Sequence, residues 1–171
     1  ICNNNNLINL ENYTKCQKFI GIEKDKDNTC QSFDNGDNTS PLDFLHIKNQ
    51  KQTGLVVSLD KKYEDNIFNI IYKLGSLVSG FKFHFDIIKD WNIMDYQHLK
   101  FLAKKYNFFV IDDRKYADIG NITSQQIWKS IEENNFVPDL ITMHGICGQG
   151  AVDAVSNLIR DKNLKLKILL I

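Results

Sequence analysis

From Leu42 onward, apolar and polar residues alternate with two different periods. Short apolar runs of strand character occur at GLVVSLD (54–60), LVSGFKFHFDI (77–87), NFFVIDD (107–113), DLITMHG (139–145) and LKILLI (166–171). Between them, apolar residues recur at helical spacing. EDNIFNIIYKLG sets Ile67, Ile70, Ile71 and Leu74 on one face and ends at Gly75, a favoured C-cap residue. MDYQHLKFLAKKYN predicts the next helix. TSQQIWKSIEENN offers Thr123 as an N-cap and turns Ile127, Trp128 and Ile131 inward, and GAVDAVSNLIRDKN spaces Val152, Val155, Leu158 and Ile159 for a fourth helix. LDFLHIKNQ predicts a short helix ahead of the first strand. Strand, helix, strand in regular repetition is the signature of βαβ units, hence of an α/β fold with a parallel sheet. Two architectures satisfy it: a doubly wound open sheet, or part of an eight-fold barrel. No glycine-rich phosphate loop or G-x-G-x-x-G turn follows the first strand, which disfavours dinucleotide binding.

The final run, KILLI, stops inside a strand pattern, whereas an eight-stranded barrel takes about 250 residues. The expectation is the N-terminal part of a (β/α)8 TIM barrel, about five of eight βα units, truncated after the fifth strand. Residues 1–41 differ in kind. They are rich in Asn, Asp, Lys, Ser and Thr without a clear period, which predicts a disordered low-complexity tail or an interdomain linker ahead of a partial barrel at 42–171. The chain also begins without an initiator Met, as an internal piece of a longer protein would.

Charge and cysteine usage narrow the function classes. The formal net charge is +0, so no basic surplus exists to attract nucleic acid or an anionic membrane. No apolar run approaches the roughly 18 residues of a spanning helix, and the N-terminus lacks the pattern of a secretory signal. Cys2, Cys16, Cys30 and Cys147 form no C-x-x-C pair, which argues against zinc. They read as free thiols of a cytoplasmic protein.

The strands carry charges at their C-terminal ends. Alternation puts Phe81, Phe83 and Phe85 on one face and Lys82, His84 and Asp86 on the other. Ser58 and Asp60 share a face, as do Asp113 and Lys115, with Asp112 and Arg114 opposite. A wet face of an antiparallel sheet would explain each strand taken singly. Helical crossovers weaken that explanation, because parallel sheets are covered on both faces and bind ligands at their C-terminal strand ends. A lysine inside such a site needs counter-charges, and Asp113 and Asp118 are available for Lys115 and Lys82. His144 reads as a packed, hydrogen-bonded residue; His84 reads equally as packed or as functional.

The stretch DDRKYADIGN closely resembles the D-R-K-F-A-D-I-G-N-T signature of orotidine 5′-phosphate decarboxylases. VVSLD is similar to that family's first strand with its S-x-D, FKFHFDII to the K-T-H-V-D-I of its second, and MHGICGQGAV to its A-H-G-V-x-G-x-G-I-V turn. The four stand in family order over roughly residues 44–171. The resemblance implies decarboxylation of orotidine 5′-phosphate to UMP in de novo pyrimidine biosynthesis, with no metal or organic cofactor. It implies Lys115 as the proton donor at C6, held with Lys82, Asp113 and Asp118 in a chain of alternating charge. Ser58, Asp60, Lys82, His84, Asp113, Lys115, Asp118 and Ile119 would contact substrate, with Asp60 and Lys82 on the ribose hydroxyls and Ser58 near the pyrimidine. It also implies a homodimer in which Asp118 serves the partner's site.

The sequence departs from the pattern where G-N-T becomes GNIT. Ile122 replaces a substrate-contacting threonine, although Thr123 is adjacent. Phe83 stands where the family has Thr, and QQIWKS lacks a glycine pair. The family's phosphate grip and capping loop lie beyond the fifth strand, so the expectation is a chain inactive alone. Two other readings stay open: a related sugar-phosphate decarboxylase of the same superfamily, and a non-catalytic relative kept as a binding or dimerisation module.

Overall fold

The computed structural model describes residues 44–60 and 67–171; the tail anticipated at 1–41 lies outside them. Five strands, β1 (Val56–Ser58), β2 (Gly80–Phe83), β3 (Phe109–Tyr116), β4 (Leu140–Met143) and β5 (Lys167–Leu170), alternate with helices. The helices are α1 (Phe44–Lys51), ahead of β1, then α2 (Ile67–Leu74), α3 (Ile93–Tyr106), α4 (Gly120–Asn134) and α5 (Gln149–Asp161).

Strand order decides between the two architectures. The sheet runs β1-β2-β3-β4-β5, and every neighbouring pair is parallel. A doubly wound sheet reverses at a switch point and adds later strands beyond β1. Here each strand joins the same growing edge, and right-handed crossovers then put every connecting helix on one face. That is the winding of a (β/α)8 barrel wall, helices outside.

The two faces are filled accordingly. Phe81, Phe83 and Val110 are buried with Ile71, Leu99 and Leu102 of α2 and α3, while Ile141 and Met143 pack with Ile127, Ile131 and Val155 of α4 and α5. On the opposite, interior face, Phe109 and Ile111 form a small apolar floor with Ile47 of α1, and Phe44 meets Phe109 edge-on at 4.8 Å. Lys51 ties α1 to the wall by donating to the carbonyls of Gly75 and Val78, both at 2.7 Å. Above this floor the interior turns polar.

Helix ends follow the Asn-rich composition. Asn92 and Asp95 form a capping box at the start of α3, and Asn107, Asn135 and Asn163 take positive φ just after α3, α4 and α5. Asn tolerates the left-handed conformation and so does the work more often given to glycine. One cap departs from expectation. Thr123 is not the N-cap of α4, which begins three residues earlier; Thr123 is fully buried in its first turn and donates to the Asp118 carbonyl at 2.9 Å. Among the described residues, no helix is long and apolar enough to cross a membrane, and Cys147 is a free thiol.

Candidate active site

Registry places the site. Ser58 pairs with Lys82, and Lys82 with Ile111, so Asp113, two residues beyond Ile111, shares their interior face. Leu140 pairs with Ile111, which brings Thr142 opposite Asp113. Beyond Asp112 the β3–β4 register shifts, and Lys115 adopts φ 55, a left-handed conformation uncommon for a side chain-bearing residue. The irregularity lies directly beside the charges.

Asp113 is the centre. Its Oδ2 receives Lys82 Nζ at 2.7 Å and Lys115 Nζ at 2.9 Å, while its Oδ1 accepts the Thr142 hydroxyl at 2.9 Å. Lys82 also lies 3.8 Å from Asp60, whose Oδ2 accepts the Ser58 hydroxyl at 2.6 Å. His84 bridges the group: its Nδ1 is 2.8 Å from Asp60 Oδ1, and its Nε2 lies 3.0 Å from Lys115 Nζ and 3.2 Å from Asp113 Oδ2. With Nδ1–H donating to Asp60, the Nε2 lone pair is free to accept from Lys115. Acids and bases thus alternate from Asp60 through Lys82 and Asp113 to Lys115.

Burial along this line is deepest at Asp113. Only 10% of the Asp113 side chain is exposed, against 43% for Lys115. Burial alone would push the Asp113 carboxyl up, but hydrogen bonds from Lys82, Lys115 and Thr142 and the Lys82 charge bring it down to about 2. Burial likewise opposes ionisation of Asp60, and the Ser58 and His84 hydrogen bonds with the Lys82 charge hold it below the usual carboxylate range. Both carboxylates are therefore ionised at neutral pH. A divalent cation would meet two ammonium groups already seated on Asp113. Among the described residues, no cluster of three or more His, Cys, Asp or Glu could hold a metal.

The other anticipated residues fall elsewhere. Asp118 is exposed, its Oδ1 accepts the Ile119 backbone N–H at 2.7 Å, and it pairs with neither lysine among the described residues; Asp60 ends the alternating line instead. Ile119 is 67% exposed beside it. Ile122 is partly exposed, and Thr123 is buried with its hydroxyl committed to the Asp118 carbonyl. Asp86 leaves the Lys82 face, because the 3-10 turn Phe85–Ile87 breaks the alternation; it pairs with Arg114 at 3.3 Å on the helix side. His144 is half-buried, with its backbone N–H donating to Tyr116. Thr142 was missed by the sequence reading. The sequence signal was a lone hydroxyl in an apolar strand; its place opposite Asp113 comes from the β3–β4 register.

Comparison with known proteins covers the same stretch of chain. The sequence profile of the orotidine 5′-phosphate decarboxylase / HUMPS family matches residues 53–171. Orotidine 5′-phosphate decarboxylase from Torulaspora delbrueckii is 36% identical over 110 residues, covering 64% of this chain and 42% of that protein. The Saccharomyces cerevisiae enzyme of the same name is 33% identical over 113 residues, covering 66% and 42%. The chain thus spans less than half the length of these relatives. The crystal structure of orotidine 5′-monophosphate decarboxylase from Methanocaldococcus jannaschii, in complex with the inhibitor BMP, superposes with TM-score 0.50 at 23% identity, over 67% of this chain and 50% of that one. A solved structure from Streptomyces avermitilis gives TM-score 0.57 at 16% identity over 80% and 55%. At such identities these structures bear on the fold alone.

Proposed function

Given that the chain belongs to the orotidine 5′-phosphate decarboxylase / HUMPS family, we propose that the protein containing it converts orotidine 5′-phosphate to UMP, a step of de novo pyrimidine synthesis. One observation carries the reading: two lysine amines converge on a single buried carboxylate, Asp113, at 2.7 and 2.9 Å.

Decarboxylation breaks the C6–carboxylate bond and leaves its electron pair at C6 as a vinylic carbanion, which no conjugated carbonyl delocalises well. An ammonium held at C6 stabilises that charge as it forms and then delivers the proton. Lys115 has that role in the proposal. Carbon dioxide departs, C6 gains a proton from Nζ, and the amine recovers its own from water. Asp113 and Lys82 hold the Lys115 amine in position, so little reorganisation is left for the reaction itself. Asp60 and Lys82 are assigned to the ribose hydroxyls, with Ser58 and His84 beside them and Ile119 at the rim.

The reading extends to a cytoplasmic homodimer. Asp118 and the exposed flank of Lys115 fit an arrangement in which a second copy brings its own Asp118 to this site. A metal-dependent sugar-phosphate chemistry is the weaker reading, since Lys82 and Lys115 already occupy the carboxylate a metal would need. A non-catalytic role is favoured by one observation, the apolar, partly exposed Ile122 where the family pattern has a threonine.

The test is UMP formation by the full gene product beside a Lys115→Ala variant. The expected loss is about 10³-fold or more in kcat, as for removal of a group that acts only on the transition state. Equal turnover by the two proteins would leave Lys115 without the role, and absence of turnover in both would leave the binding reading.

A further inference from the structure

We propose that Thr142 is a positioning residue for this pair, its single hydroxyl fixing the rotation of the Asp113 carboxylate and the backbone of Lys115 together. The inference deepens the decarboxylase reading and rests on it for its kinetic consequence, though not for its geometry.

Thr142 is 4% exposed, so its hydroxyl must find partners inside the protein. It does not bond back to its own strand. It donates to Asp113 Oδ1 at 2.9 Å and accepts the Lys115 backbone N–H at 2.9 Å. A hydroxyl has one proton to give, and a carboxylate accepts only, so the direction of both bonds is fixed. Two consequences follow. With Oδ1 occupied by Thr142, Oδ2 is the oxygen turned to the amines of Lys82 and Lys115. The second concerns the backbone. The β3–β4 ladder pairs Asp112 with Ile141 and Tyr116 with Met143, which leaves the residues between without a regular partner. The Thr142 hydroxyl supplies the bond the ladder omits, and it does so at the residue whose φ of 55 is costly to hold. The bulge that aims Lys115 and the carboxylate that receives it are thereby pinned by one atom.

The experiment uses the full-length protein with Thr142→Val, which keeps the shape and deletes the hydroxyl, and Thr142→Ser, which keeps the hydroxyl. Thr142→Ala runs beside them in case the added methyl disturbs the strand, with circular dichroism to establish folding. Two quantities are read: steady-state turnover of orotidine 5′-phosphate, and hydrogen exchange of the Lys115 amide by NMR. Removing the hydroxyl is expected to lower kcat by about 10- to 100-fold, the scale of a misplaced catalytic group, with KM within about threefold of wild type. The Lys115 amide should exchange at least about tenfold faster once its acceptor is gone. Serine should restore both quantities. Unchanged kcat and exchange in the valine and alanine variants would overturn the proposal, as would a serine variant as impaired as valine. If wild type turns over no better than Lys115→Ala, the decarboxylase reading falls, and the exchange rate still decides whether Thr142 clamps Lys115.

Discussion

Asp112 and Asp113 are neighbours in sequence with opposite electrostatic fates. Asp113 faces the interior, where Lys82, Lys115 and Thr142 outweigh burial and bring it to about 2. Asp112 faces the helix layer, 8% exposed, and burial raises it to about 7, with the Arg114 charge opposing and those of Asp86 and Asp113 adding. An unfolded Asp titrates near 3.9. Between about pH 4 and 7 the folded protein therefore keeps a proton on Asp112 that the unfolded chain has lost, so this residue's contribution falls as pH rises through that window. Asp113 acts in the reverse sense: its stabilisation is present above about pH 4 and is lost as pH falls towards 2. Asp112→Asn should thus raise stability at pH 8 by on the order of 2 kcal/mol and leave it nearly unchanged at pH 4. Urea unfolding at the two pH values measures this; an equal effect at both would contradict the assignment. The opposite facing of the two acids was legible from strand alternation. Their opposite titration was not, because it depends on which residues of β2 and β4 each one meets.

At the scale of elements, the fit of α4 against α5 sets where the Asp118–Ile119 turn sits. Gly120 opens α4, and a Cβ there would lie 2.6 Å from the Ala154 Cβ and 2.7 Å from the Gly150 carbonyl oxygen. Part of that obstacle is backbone, which cannot swing aside. Gly120→Ala should cost about 1–3 kcal/mol through overpacking, seen as a lowered thermal midpoint. A melt unchanged from wild type would show that the helices separate freely. Helix positions were readable from apolar spacing, since Ile127 and Ile131 are buried where the period put them. The start of α4 was misread because Thr123 has the chemistry of a cap, whereas the close approach of two helices, made possible by glycine and alanine, carries no period. Asp86 was misassigned for a similar reason: alternation holds only while the strand lasts, and β2 ends before it.

For the whole molecule, the sheet has two edges among the described residues, β1 and β5. The β5 end exposes Leu169, Leu170 and Ile171 by 43–52%, and Ile146 nearby by 92%. A strand that is apolar and paired on one side only is a template for association. The 171-residue chain expressed by itself should therefore self-associate with concentration, and Leu169→Lys should reduce that association. Light scattering over a concentration series reads both; a monomer at all concentrations would refute the argument. Lys115, on the central strand, keeps 43% of its side chain exposed.

The sequence by itself determined the βαβ alternation, the family and the opposite facing of Asp112 and Asp113, because each depends on local period or on short motifs. Period alone left open whether the strands wind singly or doubly, since both use identical units; the family motifs pointed to the barrel, and the strand order excluded the doubly wound sheet. Tertiary structure alone also brought Asp60 beside Lys82, set Lys115 at positive φ, and brought Thr142 to Asp113. These are contacts between segments remote in sequence, fixed by registry across strands, and no pattern along one strand encodes the register of its neighbour.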